Sequence, residues 1–181
     1  MFLYVCFILW GIAVVYVNKM ASNFATIRAM RIEDKPLPDL LHDTFPIIHK
    51  HVPDYLLFSC ISYIVIFNIT VSNADIVRLL CTLSLRPIFI CLTTFPTCFH
   101  AAKEKNKSLY DKMFLSEHDL MFSGHTCCFL FFGSVIGGGL GFGVKFVFPL
   151  TLIAARCHYT IDVIVAMLVY HSIPVFSNIS V

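Results

Sequence analysis

Two short strings carry the residues best suited to chemistry, Ser123-Gly124-His125-Thr126 and His158-Tyr159-Thr160-Ile161-Asp162-Val163. Each sets a histidine at the edge of a long apolar run, where an ionisable group is costly and is therefore a functional candidate. His158 and Asp162 are four residues apart, one helical turn, so their side chains stack on one face. A carboxylate so placed orients the imidazole and stabilises its charged form, leaving the other ring nitrogen to attack or to carry a proton. The plainer alternative has Asp162 capping a helix and His158 as an interfacial polar residue. Ser123 and the backbone N–H groups near Gly124 sit where a helix N-terminus would bind phosphate oxygens. Arg86, inside an apolar run, and Arg156 offer guanidinium groups matched to phosphate geometry. Snorkelling to a membrane interface is the alternative for both, stronger for Arg156. These are the side chains that phosphoryl transfer needs: a nucleophile, a proton donor and positive charge.

The elements that must position them belong to a membrane protein. Hydrophobic residues make up 58% of the 181-residue chain and charged residues only 13%, against roughly 25% charged in a soluble domain; mean hydropathy is +0.81. The net charge of +2 and the lack of a basic aromatic stripe argue against nucleic acid. The eight cysteines fall mostly inside apolar runs and form no C-x-x-C pair, so they read as small hydrophobes rather than as a disulfide framework or a zinc site. The length allows one domain, residues 1–181, and no separate soluble unit.

With roughly 20 apolar residues per crossing, the pattern predicts an all-α integral membrane bundle of about six transmembrane helices. Met1 to Val17 makes a retained first span, since it lacks the basic start of a signal peptide. Asn18 to Asp54 is expected as an interfacial loop. Tyr55 to Val71 and Ile76 to Phe95 make the second and third spans, separated by the polar turn Ser72-Asn73-Ala74-Asp75. Pro96 to Asp119 is a second charged loop. The fourth span starts near Phe122 and ends in the five glycines of Gly137 to Gly143, a reversal between helices or else a close-packing face. A short fifth span covers Phe146 to Ala155 and a sixth runs from about Tyr159 to Val175. Two crossings separate His125 from His158, so both return to one membrane face, where the third span also ends at Thr93-Thr94-Phe95-Pro96.

The ordered strings resemble the sphingomyelin synthase-like branch of the type 2 phosphatidic acid phosphatase superfamily. Besides SGHT and HYT-x-D-V, the matches are Pro36-Leu37-Pro38-Asp39, Arg86 with Thr93-Thr94-Phe95-Pro96, and Arg156 two residues before His158. The last is also similar to plant enzymes that exchange phosphocholine between phosphatidylcholine and diacylglycerol. The likeness runs from about Pro36 to Met167. It implies a lipid phosphotransferase that moves phosphocholine or a similar head group to a lipid alcohol such as ceramide or diacylglycerol, without cofactor or metal. It implies His158 as nucleophile, Asp162 as its orienting group and His125 as acid and base. The phosphatase members usually carry a lysine seven residues before an Arg-Pro pair and an arginine six residues before the second histidine. Here those positions are Leu79 and Leu152, which favours a transferase over a phosphatase; a non-catalytic membrane protein or transporter is the remaining alternative.

Other polar clusters have plainer readings. His42, His49 and His51 are expected as interfacial histidines in a loop without fixed geometry, His118-Asp119 as a cap on the approach to the fourth span, and Phe129 to Phe132 as lipid-facing bulk. Near the motif-bearing ends only Asp119 and Asp162 are counted as carboxylates, too few for a magnesium site. Loop charge and family disagree on orientation. The motif face carries Lys19, Arg28, Arg31, Lys35, Lys50, Lys103, Lys105, Lys107 and Lys112, and the opposite face Arg78 and Lys145, which would put the site in the cytosol. The resemblance implies a lumenal or exoplasmic site, in Golgi, endoplasmic reticulum or plasma membrane.

Overall fold

The computed structural model describes residues 2–29, 35–96, 98 and 120–174, and every regular element among them is an α-helix. In chain order these are α1 (Phe2–Ala29), α2 (Leu40–Thr44), α3 (Val52–Ile66), α4 (Asn73–Leu92), α5 (Gly124–Ile136), α6 (Gly138–Phe146), α7 (Phe148–Ala154) and α8 (Thr160–Ser172). Among the described residues one segment, Tyr4–Ala29, is long and apolar enough to cross a membrane, and Val52–Ile66, Gly124–Ile136, Gly138–Ala154 and Thr160–Ser172 are shorter apolar helices. On α1 the outward side chains Ile8, Leu9, Ile12, Val15 and Tyr16 are each more than 60% exposed.

Helix α1 continues past Val17 through residues expected as loop. Ala21, Ala25 and Ala29 recur every fourth residue and are buried with Ser22; Ala21 and Ala25 pack on Ile90 of α4. Small side chains on one face let two helices approach closely. Asn18 does not end the helix because its amide is bonded within the bundle, to the carbonyls of Val14 at 2.8 Å and Leu83 at 3.0 Å. Lys19 and Arg28 therefore lie on a helix, and Arg28 donates to the Cys91 carbonyl at 2.7 Å.

Helix α3 ends at Ile66, and just beyond it Asn68, with φ of 47°, supplies the left-handed step that asparagine tolerates. The expected turn Ser72–Asp75 instead starts α4. Ser72 is the N-cap, its hydroxyl accepting the Asp75 N–H at 3.1 Å.

The glycine-rich stretch serves both roles anticipated for it. Gly137 and Gly138, with φ of 69° and 57°, make the reversal, and the chain is helical again from Gly138. Gly141 then crosses α5 at Gly133 so closely that a Cβ on either would overlap the other's carbonyl oxygen. The apolar helical stretch expected over Phe146–Ala155 is thus Gly138–Ala154. Pro149 sits in the first turn of α7, where its missing N–H costs nothing.

Helix α5 is central. Thr126, Cys127, Phe129, Leu130, Phe131 and Gly133 are buried on it. Phe129 packs with Cys60, Val144, Leu152, Ile153 and Val163, and Leu130 and Phe131 pack with Tyr170. The expectation of lipid-facing phenylalanines is corrected here: neighbours surround α5, so Phe129 and Phe131 are core. All eight cysteines are free.

Candidate active site

The starts of α3, α5 and α8 and the ends of α4 and α7 meet at one end of the bundle. At the other end Arg78 near the start of α4 donates to the Tyr170 carbonyl near the end of α8 at 2.9 Å. At the first end, Asp162 is a junction. Its Oδ2 faces His158 Nδ1 at 3.2 Å and accepts the Tyr159 N–H at 3.0 Å, while its Oδ1 accepts the Met121 N–H at 2.8 Å. Asp162 is fully buried and His158 nearly so. The carboxylate that closes the capping box of α8 thus also faces the imidazole. Met121 reaches it with φ of 84°, a strained conformation of the kind that clusters at functional sites. The Asp162 carbonyl in turn accepts the Ser123 N–H at 3.3 Å, tying the first turn of α8 to the start of α5.

Ser123 caps α5, its hydroxyl accepting the Thr126 N–H at 3.2 Å. His125, in the first turn, points its Nε2 at Asp54 Oδ1, 3.0 Å away, and Asp54 Oδ2 faces His51 Nδ1 at 3.3 Å. Beneath this turn lies Arg86. Its Nε donates to the Phe122 carbonyl at 2.8 Å and its Nη1 to Asn18 Oδ1 at 3.0 Å. A Cβ at Gly124 would lie 3.4 Å from Arg86 Nε, so the glycine keeps the guanidinium against the helix start. Pro87 explains the asparagine. Lacking an N–H, it leaves the Leu83 carbonyl without its intrahelical partner, and Asn18 supplies the donor at 3.0 Å.

The two remaining strings close over α8. Asp39 caps α2 by accepting from Leu41 and His42, and it also accepts from the Thr160 N–H at 2.7 Å and the Thr160 hydroxyl at 2.6 Å. Burial pushes the Asp39 carboxyl up, but the Thr160 hydrogen bonds and nearby His42 outweigh it and hold the group below its ordinary value. The Tyr159 hydroxyl accepts the Leu37 N–H at 3.0 Å and donates to the Pro96 carbonyl at 3.1 Å, and Phe95 meets the Tyr159 ring edge-on at 5.8 Å. The strings at residues 36–39, 93–96, 123–126 and 158–163 thus meet.

Arg156, with φ of 57°, turns its guanidinium onto carbonyls: Ile153 at 3.1 Å, Phe45 at 3.1 Å, and His42. In this arrangement it ties α2 to the end of α7, and Arg86 is the arginine beside the helix start. Two expectations are corrected. His42 and His51 do have fixed places, His42 donating from Nε2 to the His158 carbonyl (3.0 Å) and His51 on Asp54. The carboxylates at this end also include Asp39 and Asp54, which the sequence count omitted because both stand in a stretch read as loop. Among the described residues no group of three or more His, Cys, Asp or Glu is arranged to hold a metal. His118, Asp119 and the lysines at 103, 105, 107 and 112 lie outside the described residues.

Asp54, Asn18 and Met121 are site residues that sequence reasoning missed. Asp54 carried only the signal of an acid in the first turn of a helix after Pro53. The other two had no signal beyond their types. No protein-family model matches the chain, and no curated protein matches it.

Proposed function

We propose that the chain is an integral-membrane lipid phosphotransferase. It moves a phosphoryl head group, phosphocholine or similar, from a phospholipid to a lipid alcohol such as ceramide or diacylglycerol. The observation that carries this reading is the pair of histidine–carboxylate contacts at one end of an apolar helical bundle, His158 with Asp162 and His125 with Asp54, beside Arg86. His158 Nε2 attacks phosphorus, and the P–O bond to the leaving diacylglycerol breaks as His125 protonates that oxygen. The product is a head group held on His158. The acceptor hydroxyl then gives its proton to His125 and attacks phosphorus, breaking the P–N bond and restoring both histidines. Arg86, with Ser123 and Gly124 at the start of α5, balances the phosphate charge. Arg156 serves the same phosphate if its carbonyl bonds exchange on binding.

The six-crossing arrangement belongs to the same proposal. Support comes from the alternating helix directions, with α1, α4 and the α6–α7 unit ending where α3, α5 and α8 begin, and from the exposed apolar flanks. Pro87 and the polar groups of α4 face partners inside the bundle, as intramembrane polar groups must. We place the site on the lumenal or exoplasmic face, against the positive-inside count, because basic loops around a phosphate site serve the substrate. Modification of glycosylation acceptors inserted between Lys35 and Lys50 is the expected result, and none at several positions would reverse the orientation.

Purified protein with head-group-labelled phosphatidylcholine and either ceramide or diacylglycerol tests the activity. A labelled new lipid is expected. Free phosphocholine or phosphate in its place would make the protein a hydrolase, and no turnover across a broad lipid panel would make it a non-catalytic membrane protein.

A further inference from the structure

Asp54 stands at the start of α3, 7% exposed, between two imidazoles. An ionised carboxylate only accepts, so the His125 nitrogen facing it, Nε2, carries hydrogen. The proton that His125 gives and takes then belongs to Nδ1. His158 is arranged the opposite way round, with Nδ1 on Asp162 and Nε2 left for the substrate. We infer that Asp54 is the positioning carboxylate of His125. It sets the tautomer and ring orientation through which that histidine protonates the leaving lipid alkoxide, as Asp162 sets His158 for attack.

His51 occupies the second oxygen of Asp54 at 3.3 Å and fixes the plane of the carboxylate. Two dyads of opposite tautomer, built from α3 with α5 and from the turn before α8 with the first turn of α8, divide the reaction between an attacking Nε2 and a proton-bearing Nδ1. This inference rests on the proposed phosphotransfer, and its test separates the two.

The test compares covalent labelling of His158 in the full chain by two donors, without acceptor. Phosphatidylcholine must lose an alkoxide that needs a proton, whereas p-nitrophenyl phosphocholine loses a nitrophenolate that does not. For Asp54→Asn, labelling from phosphatidylcholine is expected to fall about 10²-fold, the scale of one general acid, and labelling from the nitrophenyl donor to stay within about twofold, since that step needs no acid. An equal fall with both donors, or no fall with either, would overturn the role of Asp54. A wild-type chain that labels from neither donor would overturn the phosphotransfer reading itself. ¹⁵N spectra of histidine-labelled wild type supply an independent check that needs no variant. At alkaline pH, where both rings are neutral, they should report His125 as the Nε2–H tautomer and His158 as the Nδ1–H tautomer, and the reverse assignment at His125 would remove the proposal.

Discussion

The Asn18 side-chain amide, at 3.0 Å, replaces the backbone donor that Pro87 denies to the Leu83 carbonyl. The same amide's oxygen accepts from Arg86, so one residue of α1 both repairs α4 and aims its arginine. Asn18→Leu should leave a carbonyl unpaired, a loss of about 1–3 kcal/mol, and should release Arg86. Thermal unfolding in detergent will record a lower midpoint. Head-group transfer should fall more than that destabilisation accounts for, and a variant that unfolds earlier yet transfers normally would separate Arg86 from the site.

His158→Ala and Asp162→Asn are not equivalent changes. The first removes the attacking nitrogen and should abolish covalent labelling from a head-group donor while the fold persists. The second keeps the nucleophile but weakens three contacts at once, to His158, Tyr159 and Met121. It should label slowly and lose stability by about 1–3 kcal/mol. Normal labelling by His158→Ala would end the nucleophile assignment.

Alanine substitutions along the glycine run should diverge in sign. Gly141→Ala sets a Cβ against the Gly133 carbonyl, and overpacking of this kind costs about 1–3 kcal/mol. At Gly139 an added Cβ meets nothing within 4 Å, so Gly139→Ala in the helix should stabilise by about 0.5–1 kcal/mol. Denaturation midpoints of the two variants will fall on opposite sides of the parent.

The lowered carboxyl of Asp39 has a definite pH signature. A group whose folded pKa lies below its unfolded value adds stability that is complete above the unfolded pKa and disappears as pH falls through the folded one. The Tm difference between wild type and Asp39→Asn should therefore be constant at neutral pH, persist to the ordinary carboxylate range and close below it. A difference that closes already near pH 6 would implicate His42 rather than Asp39.

Asp39, Asp54 and Asp162 already have partners: Asp39 on Leu41, His42 and Thr160, Asp54 on His51 and His125, and Asp162 on His158, Tyr159 and Met121. Turnover is accordingly expected to survive excess chelator without added divalent ions. Complete loss that one specific metal restores would displace the histidine mechanism.

Local relationships were the legible ones. His158 and Asp162 share a helical turn, and Ser123 announces a cap, so spacing alone brings those groups into register. The Asp54–His125 pair spans 71 positions and joins two helices, and no periodicity states which sides of two apolar helices face each other. Helix ends were misplaced where a polar residue finds a partner within the bundle. Asn18 looked like the end of a span because its amide partners lie on its own helix and on α4. Phe129 and Phe131 looked like lipid-facing bulk because burial among helices and burial in lipid select the same side chains.

The bond from Asp39 to Thr160 reaches across 121 residues. Closing so long a loop gives no return until both ends are in place, and α8 is the last helix described. During synthesis the Asp39 carboxylate must therefore wait for this partner while α3 to α7 are laid down. A chain halted before Thr160 would hold His125, Arg86 and Asp54 but lack the helix that pins them under a closed cover. On the proposed function, competence for transfer would thus arrive only with α8.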